Sequence, residues 1–205
     1  MKERPIIMSG ESVRAILAGT KTQTRRVILP PFERLWGHGI ATGGSGLRTD
    51  TYHVHVRSWE QADDRYTYCR FGGPGDRLWV RETWACGSGV SPRVEYAADG
   101  PLSQRRRSPI HMPRWASRIT LEVTDVRVQR LQEISEDDAK AEGVDGYVGG
   151  EGTVSRGALN VEPGYWHPHF FRQGFSEAWD ALNGKRFPWS SNPWVFVVDF
   201  RRLLG

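Results

Sequence analysis

Cysteine is scarce: Cys69 and Cys86 are the only two in 205 residues. A disulfide framework is therefore not expected, and a reducing compartment fits. Neither cysteine belongs to a C-x-x-C pair, and no H-E-x-x-H helix is written anywhere. His53 and His55 alternate onto one strand face, Cys69 lies across a hairpin from them, and His167 and His169 come later. Without metal-ligand spacing this set reads as exposed histidines, so no metal and no cofactor are expected. The chain also lacks a G-x-S-x-G elbow, a P-loop and a dinucleotide fingerprint; Gly72-Gly73-Pro74-Gly75-Asp76 reads as a turn before a strand. No apolar run reaches membrane-spanning length, and residues 1–10 hold no signal-peptide core. The expectation is a cytoplasmic protein with no membrane partner.

What is present suits a soluble globular domain. Hydrophobic residues make up 38% and charged residues 25%, enough for one core, and the length favours one domain over two. There are 9 Trp, 23 Gly and 12 Pro, a combination that gives many turns and large flat side chains for core filling or stacking. The formal charge of +4 leans towards anionic partners such as nucleotides or nucleic acid.

Ile6 to Met8 reads as a buried strand, and Ser9 or Gly10 caps a helix carrying Val13, Ile16 and Leu17, with Gly19 closing it. Lys21 to Ile28 is rich in β-branched residues and reads as a strand stopped by Pro30 and Pro31. Tyr52-Val54-Val56 and Tyr66-Tyr68 alternate as a hairpin would. Leu78-Trp79-Val80 is a short strand. Residues 119–128 alternate with period two and form the clearest strand of the chain. Ser135 with Asp138 starts a short helix ended by Gly143, and Phe171, Phe175, Ala178, Trp179 and Leu182 mark an amphipathic helix. Trp194 to Phe200 is the last strand. These elements predict an α+β fold on a curved sheet or barrel, one domain over 1–205, with long insertions at about 32–70, 85–113 and 145–165. The run Arg105-Arg106-Arg107 falls in the second insertion and reads as a solvated loop.

Most of the chemical content lies in Gly19-Thr20-Lys21-Thr22-Gln23-Thr24-Arg25-Arg26. In a strand, Thr22, Thr24 and Arg26 share one face while Gln23 and Arg25 share the other. Lys21 stands at the turn, free to swing to either face, so a lysine, a hydroxyl and an arginine can converge on one pocket. An exposed edge strand with solvated charges satisfies the same pattern.

This segment resembles the signature of the ASCH family in the PUA-like group, with Gly19, Lys21 and Arg26 at the matching places. Thr24 stands where most of that family carries Glu, and Lys-Thr-x-Thr-x-Arg is similar to the small bacterial N(4)-acetylcytidine amidohydrolases. Gly75-Asp76-Arg77-Leu78-Trp79-Val80, Leu121-Glu122-Val123-Thr124 and Phe196-Val197-Val198-Asp199-Phe200 resemble further family strands in the same order. Together they cover about half the chain. The longer layout, with Val80-Arg81-Glu82-Thr83-Trp84, resembles ASCH proteins of bacteriophage and prophage genomes.

The resemblance implies a PUA-like curved β-barrel with short flanking helices, and hydrolysis of the acyl amide on the exocyclic nitrogen of N(4)-acylated cytidine or cytosine. It implies Lys21, Thr24 and Glu122 as the catalytic group. One arrangement has Thr24 as nucleophile, Lys21 as base and Glu122 orienting Lys21 or activating the deacylating water. The other has Glu122 activating water while Lys21 and Thr24 hold the oxyanion. Lys21 serves as base only when neutral, which requires burial. Arg26, Glu82, Trp84 and Ser9 are the candidates for contacting a nucleoside or nucleobase substrate. The rival reading is a module of the same family that binds RNA without chemistry, or a ribonuclease, with Arg25, Arg26 and Arg105 to Arg107 along a phosphate backbone.

Overall fold

The computed structural model describes residues 1–28, 52–56, 65–87, 93–144 and 170–204. A five-stranded sheet in the order β1-β5-β8-β9-β2 organises them, with β1 Glu3–Ile7, β2 Gln23–Val27, β5 Arg77–Arg81, β8 Thr120–Arg130 and β9 Trp194–Leu203. β1 runs parallel to β5, while β5–β8, β8–β9 and β9–β2 are antiparallel. The anticipated hairpin forms as β3 Tyr52–Val56 and β4 Arg65–Cys69. The fold is thus mixed α and β as expected. Among the described residues β1 and β2 are not paired, so the sheet is not a closed barrel.

Period-two alternation turns β9 into a two-sided strand. Phe196, Val198 and Phe200 enter the main core with Ile6, Leu78, Leu121 and Val123, covered by Val13 and Ile16 of helix α1 (Gly10–Leu17). Val195 and Val197 face the other way. They meet Ala139 of α2 (Glu136–Ala141) and Phe175 and Trp179 of α3 (Phe170–Asn183). Each such large apolar side chain, fully buried, is worth about 1.5–3 kcal/mol. The spacing 171, 175, 179 sets one α3 stripe towards the sheet, with Phe171 packed at its start. The helix start is fixed from outside itself: the Glu136 carboxylate accepts from the backbone N–H of Phe171 (2.8 Å) and Arg172.

β8 carries a register shift between Val123 and Asp125. That bulge makes Leu121 and Val123, then Val126, the core-facing residues. Residues 85–113 are more than an excursion. β6 (Trp84–Cys86) pairs with β7 (Val94–Tyr96), and Trp84, Met112 and Ala116 form a small core of their own. The expected insertions at 32–70 and 145–165 lie largely outside the described residues. Among the described residues, no helix is long and apolar enough to cross a membrane.

Candidate functional site

Lys21 lies one turn beyond α1, where Gly19 takes φ +77° and reverses the chain into β2. The backbone at this point is tied down on both sides. Lys21 N–H donates to Ala15 O (3.2 Å) and Thr22 N–H donates to Ala141 O at the end of α2 (2.9 Å). The Lys21 side chain swings to the face of Gln23 and Arg25, away from Thr24. Its ammonium donates to Glu142 Oε2 and to the Glu142 carbonyl, both at 2.7 Å.

Arg25 completes the arrangement. Its Nη1 donates to Glu142 Oε1 (3.1 Å) and to Gln23 Oε1, its Nη2 donates to Asp138 Oδ2 (3.0 Å), and Phe175 lies beneath it at 5.7 Å. Gln23 Nε2 donates to Asp138 (3.0 Å) and Asp199 (2.6 Å). Arg127 closes the network with a bond to Asp138 (2.8 Å) and another to Asp199. The cations Lys21, Arg25 and Arg127 thus balance the carboxylates Glu142, Asp138 and Asp199. Each keeps a partner of opposite sign, which buried charge requires.

Burial sets the electrostatics. The Lys21 and Glu142 side chains are 4% and 5% exposed. Desolvation pulls the Lys21 ammonium below its ordinary pKa, and the adjacent Glu142 carboxylate opposes the shift without cancelling it. Burial alone raises Asp138, but the Gln23 hydrogen bond and the charges of Arg127 and Arg25 outweigh it and leave this carboxyl below the usual range. Gly143, at φ +75°, follows Glu142; a Cβ there would stand 2.7 Å from Lys21 Cβ and 2.8 Å from Ala15 Cβ. The close seat of α2 on Lys21 therefore depends on glycine.

The other candidate residues are distributed around this centre. Thr24 is buried on the opposite face of β2, in register with Val198 on the main-core side. Arg26 follows on that face. It donates to Ile7 O (2.5 Å) and Met8 Sδ (3.2 Å), and its Nε is buried without a partner. Desolvation lowers its pKa. Glu122 lies before the β8 bulge, and its carboxylate is held by Arg201 at 2.9 Å rather than by Lys21. Ser9 serves as the α1 N-cap, accepting from Ser12 N–H (3.2 Å).

Glu82 is buried and held in bidentate fashion by Arg118 (3.0 and 3.1 Å), which also grips Asp99. Burial raises the Glu82 carboxyl and the arginine only partly offsets it. Trp84 is packed edge-on against Trp115 with centroids 6.1 Å apart, its Nε1 buried and unpaired. The structure therefore gathers Lys21 with Arg25 and Gln23, and places Thr24 with Arg26, Glu82 with Trp84's neighbourhood, and Glu122 at three other positions.

Glu142, Asp138, Asp199 and Arg127 were not anticipated. One signal pointed to the first two: Asp138 and Glu142 are four apart and share a helix face, just as Lys21, Gln23 and Arg25 share a strand face. Among the described residues no group of His, Cys, Asp and Glu is arranged to hold a metal ion. Compared with known proteins, the chain matches no family model, no curated protein and no solved structure.

Proposed function

We propose that the chain hydrolyses the acyl amide of N(4)-acylated cytidine, with Lys21 as the proton-handling base and Glu142 as its carboxylate partner. The observation that carries this reading is the dry Lys21 amine, whose affinity for a proton is lowered by burial and whose contacts are those of one residue. A lysine base at neutral pH needs that environment. Water supplies the nucleophile: it adds to the acyl carbon as the neutral form of Lys21, which burial favours over the ammonium, takes the water's proton. The C–N bond then breaks as the same proton passes to the cytosine amino nitrogen, giving cytidine and a carboxylic acid. Thr24, facing the other side of β2, is not required as an acyl carrier in this scheme.

The same reading assigns the fold to a PUA-like curved barrel of the ASCH type and the protein to the cytoplasm. Two features support the first: one edge strand reaches the other through the Arg26 bond to Ile7, and the strand order brings both edges to the same end of the chain's first segment. Both cysteines are unpaired, which suits a reducing compartment.

The test is release of cytidine from N(4)-acetylcytidine by the wild type beside Lys21→Met, Glu142→Gln, Thr24→Val and Glu122→Gln, each checked for folding by circular dichroism. Lys21→Met and Glu142→Gln are expected to lose at least about a hundred-fold in kcat/KM, the usual scale of general-base catalysis; Glu122→Gln is expected to stay within a few-fold. An inert wild type on several N(4)-acyl cytidines overturns the reading. Loss in Glu122→Gln with full activity in Glu142→Gln overturns the choice of carboxylate.

A further inference from the structure

The Glu142 carboxylate is shared between two cations. Oε2 accepts from the Lys21 ammonium (2.7 Å) and Oε1 from Arg25 Nη1 (3.1 Å), and among the described residues its side chain has no other partner. Arg25 is itself fixed from three further directions. Nη2 donates to Asp138 Oδ2 (3.0 Å), Nη1 donates to Gln23 Oε1, and the Phe175 ring lies 5.7 Å from the guanidinium carbon. The side chain is 0% exposed, so these contacts decide where it points. Seating α2 on the sheet does not need the bond to Glu142. Thr22 N–H already holds Ala141 O (2.9 Å), and Gln23 and Arg127 hold Asp138.

The stereochemistry of the amine gives that bond its meaning. A neutral amine carries two N–H groups and one lone pair, against the three N–H groups of the ammonium. Lys21 Nζ has two acceptors, Glu142 Oε2 and the Glu142 carbonyl, both at 2.7 Å. In the neutral form both N–H groups are therefore spent on Glu142, and the lone pair takes the remaining tetrahedral direction, away from that residue. Where Glu142 stands thus decides where Lys21 accepts a proton, and Arg25 anchors Glu142 from its far side. Charge follows the same path. With Lys21 neutral, Glu142 and Asp138 still face Arg25, and Asp138 and Asp199 still face Arg127, so no carboxylate of the network is left without a cation.

We infer that Arg25 is a positioning residue: it fixes Glu142 through Oε1 so that Oε2 and the carbonyl orient the Lys21 amine for proton transfer. Its part in catalysis rests on the hydrolysis proposed above; its hold on Lys21 does not. The charged groups that bear on the amine are Glu142 of α2 and Arg25 and Arg26 of β2, with Asp138, Arg127 and Asp199 beyond Arg25, while α1 presents the Ala15 carbonyl to the Lys21 backbone. Burial lowers the amine's affinity for a proton most, Glu142 opposes it, and the two arginines add to the lowering. Losing Arg25 should raise that affinity twice over, by removing a cation and by leaving Glu142 to Lys21 alone.

Carbon-13 NMR of the lysine ε-carbons in the full chain tests it, because there are only four lysines, Lys2, Lys21, Lys140 and Lys185. The signal missing from Lys21→Met assigns the peak. Arg25→Gln is expected to raise the proton affinity of Lys21 about ten-fold, the scale of one close charge. The midpoint of the kcat/KM–pH profile on N(4)-acetylcytidine should move upward to match, with KM within about two-fold of the wild type, since Arg25 touches no substrate. A merely structural arginine would lower the plateau and leave the midpoint in place. Arg25→Lys restores the charge but cannot fork across two carboxylates. Its midpoint should return at least halfway, while its plateau kcat stays down by about five-fold or more. A folded Arg25→Gln with an unmoved Lys21 titration overturns the inference, as does a wild-type plateau in Arg25→Lys. If Arg25→Gln fails to fold, the Arg25→Lys plateau decides. A wild type inert on N(4)-acyl cytidines removes the hydrolysis and leaves the titration to judge Arg25, so the two fail separately.

Discussion

Replacing Glu142 by Gln removes one negative charge from between two cations that water does not reach. The Lys21 and Arg25 side chains are 4% and 0% exposed, and each directs one bond at that carboxylate. Arg25 retains Asp138 at 3.0 Å, whereas Lys21 keeps only the Glu142 carbonyl, so the lysine is the stranded charge. Breaking one side of a buried ion pair costs about 3–5 kcal/mol, because the remaining charge stays desolvated without its counter-charge. For a domain of this length that is a fall in Tm of roughly 6–20 °C. Urea unfolding followed by tryptophan fluorescence measures it.

The pH dependence supplies a second readout. Burial already holds the folded-state pKa of Lys21 below its ordinary 10.5, and the carboxylate opposes that shift. Without the carboxylate the folded pKa drops further while the unfolded value stays put. Between the two values the unfolded chain binds more protons, so stability rises with pH across that window. The deficit of Glu142→Gln relative to the wild type should therefore shrink as pH rises from neutrality towards 9. The double change Lys21→Met with Glu142→Leu removes both charges and leaves Arg25 on Asp138, and should be less damaging than Glu142→Gln alone. A single variant within about 1 kcal/mol of the wild type, or a deficit unchanged by pH, refutes the dry pair.

Two further outcomes follow from close packing. Gly143→Ala should lower stability by more than the ~1 kcal/mol of an ordinary glycine exchange, because it combines φ +75° with a Cβ 2.7 Å from that of Lys21; thermal unfolding checks this, and Gly75→Ala, at φ +84° with nothing within 4 Å, is the control for backbone strain alone. Cys69 is fully buried and its thiol is pushed up to about 11, mainly by desolvation, so at pH 8 in the native protein iodoacetamide should leave it unmodified until denaturant is added, as peptide mass mapping would show.

Local pattern made most elements legible. The period-two run at 119–128 became β8, extended to Arg130, and the 171–182 stripe became α3. The β8 bulge was not legible, because Thr124 carries no glycine signal and nothing local distinguishes it from its neighbours. Trp84 gave no warning that it seeds a separate core, since its partners Met112 and Ala116 come about thirty residues later. Tertiary contact, rather than propensity, decides such cases.

The two glutamates carry the same lesson into the candidate site. Glu122 was prominent in the sequence because it lies in a clean strand, yet a clean strand fixes only which face a side chain takes. Its position along that face, ahead of the bulge and opposite Arg201, is set by strand register, and that register gives it an arginine at the surface. Glu142 was inconspicuous, the last acid of a short charged helix, and became the lysine's partner only when α2 settled onto β2 across 121 residues of chain. What makes that docking specific is charge arranged at matching periods. A strand repeat of two places Lys21, Gln23 and Arg25 in a row, a helix repeat near four places Asp138 and Glu142 opposite them, and a slip of either element by one residue separates every pair. The same buried charges that surround Lys21 thereby fix the register of the helix that covers it, so a variant that frees Lys21 for solvent should also loosen α2.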